Sequence, residues 1–246
     1  MNQISFGEKM FADIPPIVNA SESHMALLFL LDVSGSMAAP VPGTNKEAIR
    51  ELSDAINRFK QSVCKDSRTK DILDVAIITF ADRGNYKVYQ EFLPIEYLKP
   101  VELELEGTTY ICEPLDLALD MVSDRSRFYR RTGAEPYKPW VVIMTDGLAM
   151  DSSSEISRVA EKVNDMVAAE KVAVWSLISG DGVNDPEVAE LMHRFCGKRV
   201  LKLEGYDFDG FLDWANKSMR AVSQSSPGEK VKGQALPASI TIDDLM

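Results

Sequence analysis

Four stretches of this chain are apolar with no alternation: "MALLFLLDV" (25–33), "DILDVAIITF" (71–80), "KPWVVIMTDG" (138–147) and "KVAVWSLIS" (171–179). A strand with one wet face alternates polar and apolar side chains. Runs like these fit strands covered on both faces, as in a parallel sheet flanked by helices. Stretches with helical spacing lie between them. In "NKEAIRELSDAINRFKQSV" (45–63), Ala48, Leu52, Ile56 and Phe59 recur at that period. A second stretch, from about Pro114 to Arg130, carries Leu115, Leu117, Leu119 and Met121–Val122, with Pro114 suited to its first turn. "SEISRVAEKVNDMVAAE" (154–170) has Ser154 as its expected N-cap, "DPEVAELMHRFCG" (185–197) runs from Asp185–Pro186 to Gly197, and "YDFDGFLDWANKSMRAVS" (206–223) is the last helix.

"NYKVYQEFLPI" (85–95) follows the turn-forming "ADRG" and predicts a hairpin with 71–80, and "KRVLKL" (198–203) predicts a short edge strand. The expected fold is therefore α/β: a single doubly wound, mostly parallel six-stranded sheet with one antiparallel edge strand and helices on both faces. Residues 24–223 form one domain in this reading, with an extension over 1–23. Residues 224–246 begin small, polar and broken by Pro and Gly, which predicts a disordered tail. The tail ends in "ITIDDLM", read as a frayed terminus with a short docking motif as the alternative.

A net charge of −11 over 246 residues weighs against broad contact with nucleic acid or an anionic membrane, both of which need a basic face. Cys64, Cys112 and Cys196 are odd in number and widely spaced, which suggests neither a disulfide framework nor a zinc ribbon. The start lacks a basic segment followed by an apolar one, and residues 25–31 are far short of the roughly 20 a bilayer requires. The expected location is cytoplasmic.

In open parallel sheets ligands sit at the carboxyl ends of the strands. Asp32, Ser34 and Ser36 follow the first run, Thr108 and Thr109 sit in "ELEGTTYICEPL" just before a helix, and Asp146 ends "VVIMTD", with Asp151 a little beyond. Carboxylates and hydroxyls without histidine or thiolate suit a small hard divalent cation such as Mg²⁺ or Mn²⁺, with Ca²⁺ as a further alternative. Two carboxylates and three hydroxyls leave Mg²⁺ under-ligated, so one position is open to water or to an outside ligand.

"DVSGSM", the later Thr and "TDG" together resemble the metal-ion-dependent adhesion site of von Willebrand factor A domains. Within that family the chain resembles the bacterial TerY-like proteins of tellurium-resistance and stress gene clusters, from about Leu27 to Ser225. "KPWVVIMTDGLAMD" and "FDGFLDWANKSMRAVSQS" carry the rest of the likeness. The resemblance implies that Ser34, Ser36 and Thr109 contact the metal directly and that Asp32 and Asp146 bind it directly or through water. It also implies a protein partner whose Asp or Glu carboxylate completes the shell, and an adaptor role without catalysis. Thr109 is preferred over Thr108 because Ile111 and Leu115 then fall at the family's apolar offsets. The family more often has Gly-Gly before its Thr, where this chain has Gly107–Thr108, so Thr108 stays as the alternative ligand. Asp151 either bonds groups behind the ligands or caps the helix beginning near Ser153.

Other classes fit less well. A phosphoryl-transfer hydrolase using Asp32 lacks the second Asp two residues on, where Ser34 stands, and so lacks a proton donor for the leaving group. A serine hydrolase lacks G-x-S-x-G and a well-placed histidine, and a nucleotide binder lacks a glycine-rich or P-loop motif. His24 and His193, Cys112, and Trp140, Trp175 and Trp214 read as packing residues. "RSRFYRR" (125–131) reads as a solvated basic helix end, with a docking patch for an acidic partner as the alternative.

Overall fold

β1 (Met25–Asp32) is buried along its whole length, because it pairs in parallel on both sides. One neighbour is β2 (Leu73–Phe80), in register from Met25↔Leu73 to Asp32↔Phe80; the other is β4 (Trp140–Thr145), from Leu27↔Trp140 to Leu31↔Met144. Its side chains divide between two cores: Leu27, Phe29 and Leu31 enter one, Ala26, Leu28 and Leu30 the other. That division is why the run shows no polar alternation. In this computed structural model, residues 22–229 and 231–243 are described. Nearly all of the expected 1–23 extension and the last three residues of "ITIDDLM" lie outside that range.

The sheet has seven strands in the order β3-β2-β1-β4-β5-β6-β7, with β3 (Tyr86–Pro94), β5 (Ala173–Ile178), β6 (Val200–Leu203) and β7 (Ile240–Ile242). β3 closes the expected antiparallel hairpin with β2. One face is covered by α1 (Ala48–Val63), the short α2 (Ser67–Ile72) and α6 (Phe208–Ser223), through Leu52, Ile56, Phe59, Phe211 and Trp214. The other is covered by α3 (Cys112–Arg131), α4 (Ser153–Ala168) and α5 (Pro186–Cys196), through Leu115, Leu119, Val159, Val163 and Phe195. The three tryptophans cluster under α6, with ring centroids 5.1–6.0 Å apart.

Several expectations are corrected. The sheet has seven strands, not six, because Ile240–Ile242, inside the expected disordered tail, pairs antiparallel with β6. β6 is consequently not an edge strand. Helix α4 is capped by Ser152, not Ser154: Ser152 and Glu155 form a reciprocal capping box. The basic "RSRFYRR" run is not uniformly solvated, since Arg125 is buried and bonds Asp74. His193 is more than packing: its Nε2 lies 2.9 Å from Asp243. Among the described residues, no helix is long and apolar enough to cross a membrane.

Candidate metal centre

From β1 the chain crosses over to β2 on one side, while β4 lies against its other side, so the strand order reverses between β1 and β4. A crevice opens outside the carboxyl ends of strands at such a point. Asp32 is the last residue of β1, and Asp146 follows the last residue of β4. Both carboxylates reach the crevice because the apolar runs that carry them end together.

The first loop turns at once into a short 3-10 helix (Gly35–Ala38), which places Ser34 and Ser36 beside the two acids. Ser36 Oγ donates to Asp146 Oδ1 at 2.6 Å and lies 3.0 Å from Ser34 Oγ. The Ser34 side chain also bonds the Asp32 carboxylate, so the two serine hydroxyls link the two acids. Asp32 Oδ1 accepts from the Ser34 backbone N–H at 2.9 Å, and its Oδ2 accepts from Thr145 Oγ1 at 2.7 Å. Thr109 arrives from the segment between β3 and α3. Its Oγ1 and the Ser36 Oγ both lie within 4 Å of the point a side-chain carbon on Gly147 would occupy, at 3.9 and 3.6 Å.

Backbone hydrogen bonds hold these three segments together. Glu106 N–H donates to Val33 O at 2.7 Å, Gly35 N–H to Gly107 O at 2.9 Å, Tyr110 N–H to Ala81 O at 2.8 Å, and Met150 N–H to Thr109 O at 2.8 Å. Gly107 is at φ +26°, and a side-chain carbon there would fall 1.9 Å from the Asp82 carboxylate, so only glycine fits. Gly182, below the site, is excluded from larger residues by Asp146 O at 2.6 Å.

The two threonines part ways. Thr109 is buried at 7 % exposure and faces the crevice. Thr108 is exposed, and its N–H and hydroxyl both donate to Asp82 Oδ1 at 2.7 Å, which lowers the Asp82 pKa. Asp151 does not cap the helix near Ser153. It accepts from the Ile111 and Cys112 backbone N–H groups at 2.8 and 3.1 Å, at the start of α3, and so fixes the segment carrying Thr109. Burial, reinforced by Asp151, pushes the Cys112 thiol far above its usual range, which keeps it protonated. Two contributors were not singled out from sequence: Thr145, whose only signal was its place before Asp146, and Asp82, which read as part of a turn.

The electrostatics are one-sided. Asp32 is 0 % exposed and Asp146 5 %. Burial is the main cause that pushes Asp32 up to about 6, with Asp146 adding to it, while bonds from Ser34 and Thr145 oppose it. Burial also raises Asp146, and Asp181 contributes in the same direction. Among the described residues, no lysine or arginine forms an ion pair or hydrogen bond with either carboxylate. Among the described residues no group of three or more His, Cys, Asp or Glu could hold a metal. Any cation here would therefore rest on two carboxylates and several hydroxyls. That hard-oxygen donor set, with two uncompensated buried acids, fits Mg²⁺, whose preference is for oxygen and retained water.

The doubly wound sheet, with a polar, acid-lined crevice at its switch point, places the chain among open-sheet α/β domains. The von Willebrand factor type A domain profile matches residues 27–149, half of the chain, and the chain belongs to that family. No curated protein sequence matches it significantly. Among solved structures it is similar to the pilus adhesin SpaC from Lactobacillus rhamnosus GG (TM-score 0.64, 13 % identity, 81 % of this chain and 31 % of that one). It is also similar to the vWF domain of the type V pili tip protein Mfa5 from Porphyromonas gingivalis (0.60, 7 %, 84 % and 98 %). The PilB minor pilin from Streptococcus sanguinis matches at 0.53 and 14 % identity over 82 % of this chain and 62 % of that one. The chain spans under a third of SpaC and nearly all of the Mfa5 domain, and at these identities the likeness is one of fold.

Proposed function

We propose that this chain is a metal-dependent protein-binding module. Ser34, Ser36 and Thr109 hold a divalent cation, Mg²⁺ first, directly; Asp32 and Asp146 hold it directly or through water. The position left open is filled by an Asp or Glu carboxylate from a partner protein. One observation carries the reading: Asp32 and Asp146 are buried near each other and bonded by hydroxyls, and among the described residues no lysine or arginine pairs with either. A buried carboxylate without a cation or a full set of donors is costly, and a divalent ion removes that cost. Domains of this family are often interaction or adhesion modules, which supports the assignment.

The adaptor acts in the cytoplasm, and its resemblance to TerY-like proteins points to a tellurium-resistance or stress system. A hydrolase acting through Asp32 has no proton donor at position 34, and His24 precedes β1, at the opposite end of the strand from Asp32. The test is affinity capture from the native cell with Mg²⁺ and with chelator, beside Asp32→Ala protein checked for cooperative melting. A partner retained by wild type only with the ion, and lost by the variant, supports the reading. Equal retention in all three conditions rejects it.

A further inference from the structure

β7 adds three residues where the sheet would otherwise end, and its attachment has the parts of a docked peptide. The ladder runs Leu203↔Ile240, Lys202↔Thr241 and Leu201↔Ile242. Flanking bonds run from Glu204 N–H to Ser239 O at 2.8 Å and from Asp243 N–H to Val200 O at 2.9 Å. Ile240 is buried, whereas Thr241 and Ile242 are exposed. The Asp243 carboxylate lies between Lys202 Nζ at 2.8 Å and His193 Nε2 at 2.9 Å. Residues 231–239 leading to it have no helix or strand and are mostly exposed, fastened by the Trp214 indole N–H to Gln234 O at 3.1 Å, the Ser239 hydroxyl to Asp207 Oδ2 at 2.7 Å and Leu236, half-buried against the core. At the opposite edge, β3 has nine residues and is tied to β2 by a tight turn. Main-chain bonds for affinity, one apolar anchor and one charge for selectivity are the division of labour of strand addition to a sheet edge.

We propose that the outer edge of β6, with Lys202 and His193, is a docking site for an extended acidic peptide, and that Ile240–Asp243 is its resident ligand, docked reversibly within the same chain. The class of peptide recognised has a β-branched apolar residue followed, three positions on, by a carboxylate. The charges explain the selectivity: a lysine and a histidine form a local basic spot on a chain of net charge −11. The short ladder favours reversibility, because three paired residues, the two Asp243 ion pairs and a single fully buried strand side chain are given up on release.

The test uses the whole chain and a fluorescent peptide PASITID, the sequence of residues 237–243. In the wild-type protein the tethered copy competes at an effective concentration on the order of millimolar, so the added peptide binds weakly. In I240S/D243K protein, whose own strand is disabled, it is expected to bind at least about tenfold tighter by anisotropy, and adding Lys202→Glu should remove that gain. A cooperatively melting I240S/D243K protein that binds no better than wild type overturns the proposal. Hydrogen exchange on the wild-type chain decides the matter if the variant does not fold. The Glu204 and Asp243 amides should exchange at least about a hundredfold faster than those of β5; equal rates make β7 a permanent strand and overturn the proposal. A wild-type dimer by light scattering, dispersed by I240S/D243K, would assign the edge to a second copy and overturn docking within the chain.

Discussion

Two buried aspartates sit at opposite ends of neighbouring strands, and they are treated in opposite ways. Asp74, near the start of β2, is 2 % exposed and accepts from Arg125 Nε and Nη2 at 3.1 and 2.6 Å and from the Tyr129 hydroxyl. Asp32, at the end of β1, is 0 % exposed and accepts from the Ser34 backbone amide and the Thr145 hydroxyl, with the Ser34 side chain also bonding it. The fold thus neutralises Asp74 internally, whereas among the described residues no lysine or arginine pairs with Asp32 or Asp146. Under the proposed function, the acid with a fixed guanidinium belongs to the scaffold and the acid met by hydroxyls belongs to the metal centre.

The comparison is broken most directly by removing the internal cation. Arg125→Ala strands the Asp74 charge and should cost about 3–5 kcal/mol, lowering Tm by roughly 10 °C in calorimetry. Asp32→Asn should act in the opposite sense on the metal-free protein at pH 7. Raising Asp32 from 3.8 to about 6 corresponds to roughly 2–3 kcal/mol of destabilisation by its charged form, which the amide lacks. A melting temperature that falls as far as in Arg125→Ala would erase the distinction between the two aspartates.

The same Asp32→Asn change should weaken Mg²⁺ binding by about ten- to a hundredfold in titration calorimetry, as expected for losing a charged contact. The pH dependence sharpens the contrast further. With its folded value raised, Asp32 contributes stability to the metal-free protein that is present below about 3.8 and lost as pH rises through about 6. A centre that takes Mg²⁺ through the ionised Asp32 should gain about fivefold in affinity from pH 5 to 6 and flatten above 7. Affinity that is level across that range removes Asp32 from the centre. The smallest effects separate the threonines: Thr109→Ala should cost roughly tenfold in Mg²⁺ affinity, and Thr108→Ala, which loses only its hydroxyl bond to Asp82 and keeps the backbone one, about twofold or less.

Legibility followed the range of the interactions. Unbroken apolar runs marked β1, β2, β4 and β5 because burial on both faces is a local demand on every residue of a strand. Asp32, Ser34, Ser36 and Asp146 were legible because they interrupt those runs at a strand end. Asp82 and the Asp151 contact to α3 were not, since each bonds backbone 26 to 40 residues away, a pairing that no local pattern encodes. β7 was missed for a similar reason. Its surroundings are polar and broken by proline, and a three-residue strand exists only because β6 offers an unpaired edge.

By itself, then, the chain's pattern of residues determined the layered α/β architecture, the parallel core and the oxygen-rich character of the crevice. Only the tertiary structure decided which threonine faces that crevice, that Arg125 answers Asp74 while no described lysine or arginine answers Asp32, and that β7 closes on β6. Hydrophobic periodicity is a property of neighbours in sequence. Compensation of a buried charge and pairing of a free edge depend on which distant groups the fold brings within hydrogen-bonding reach.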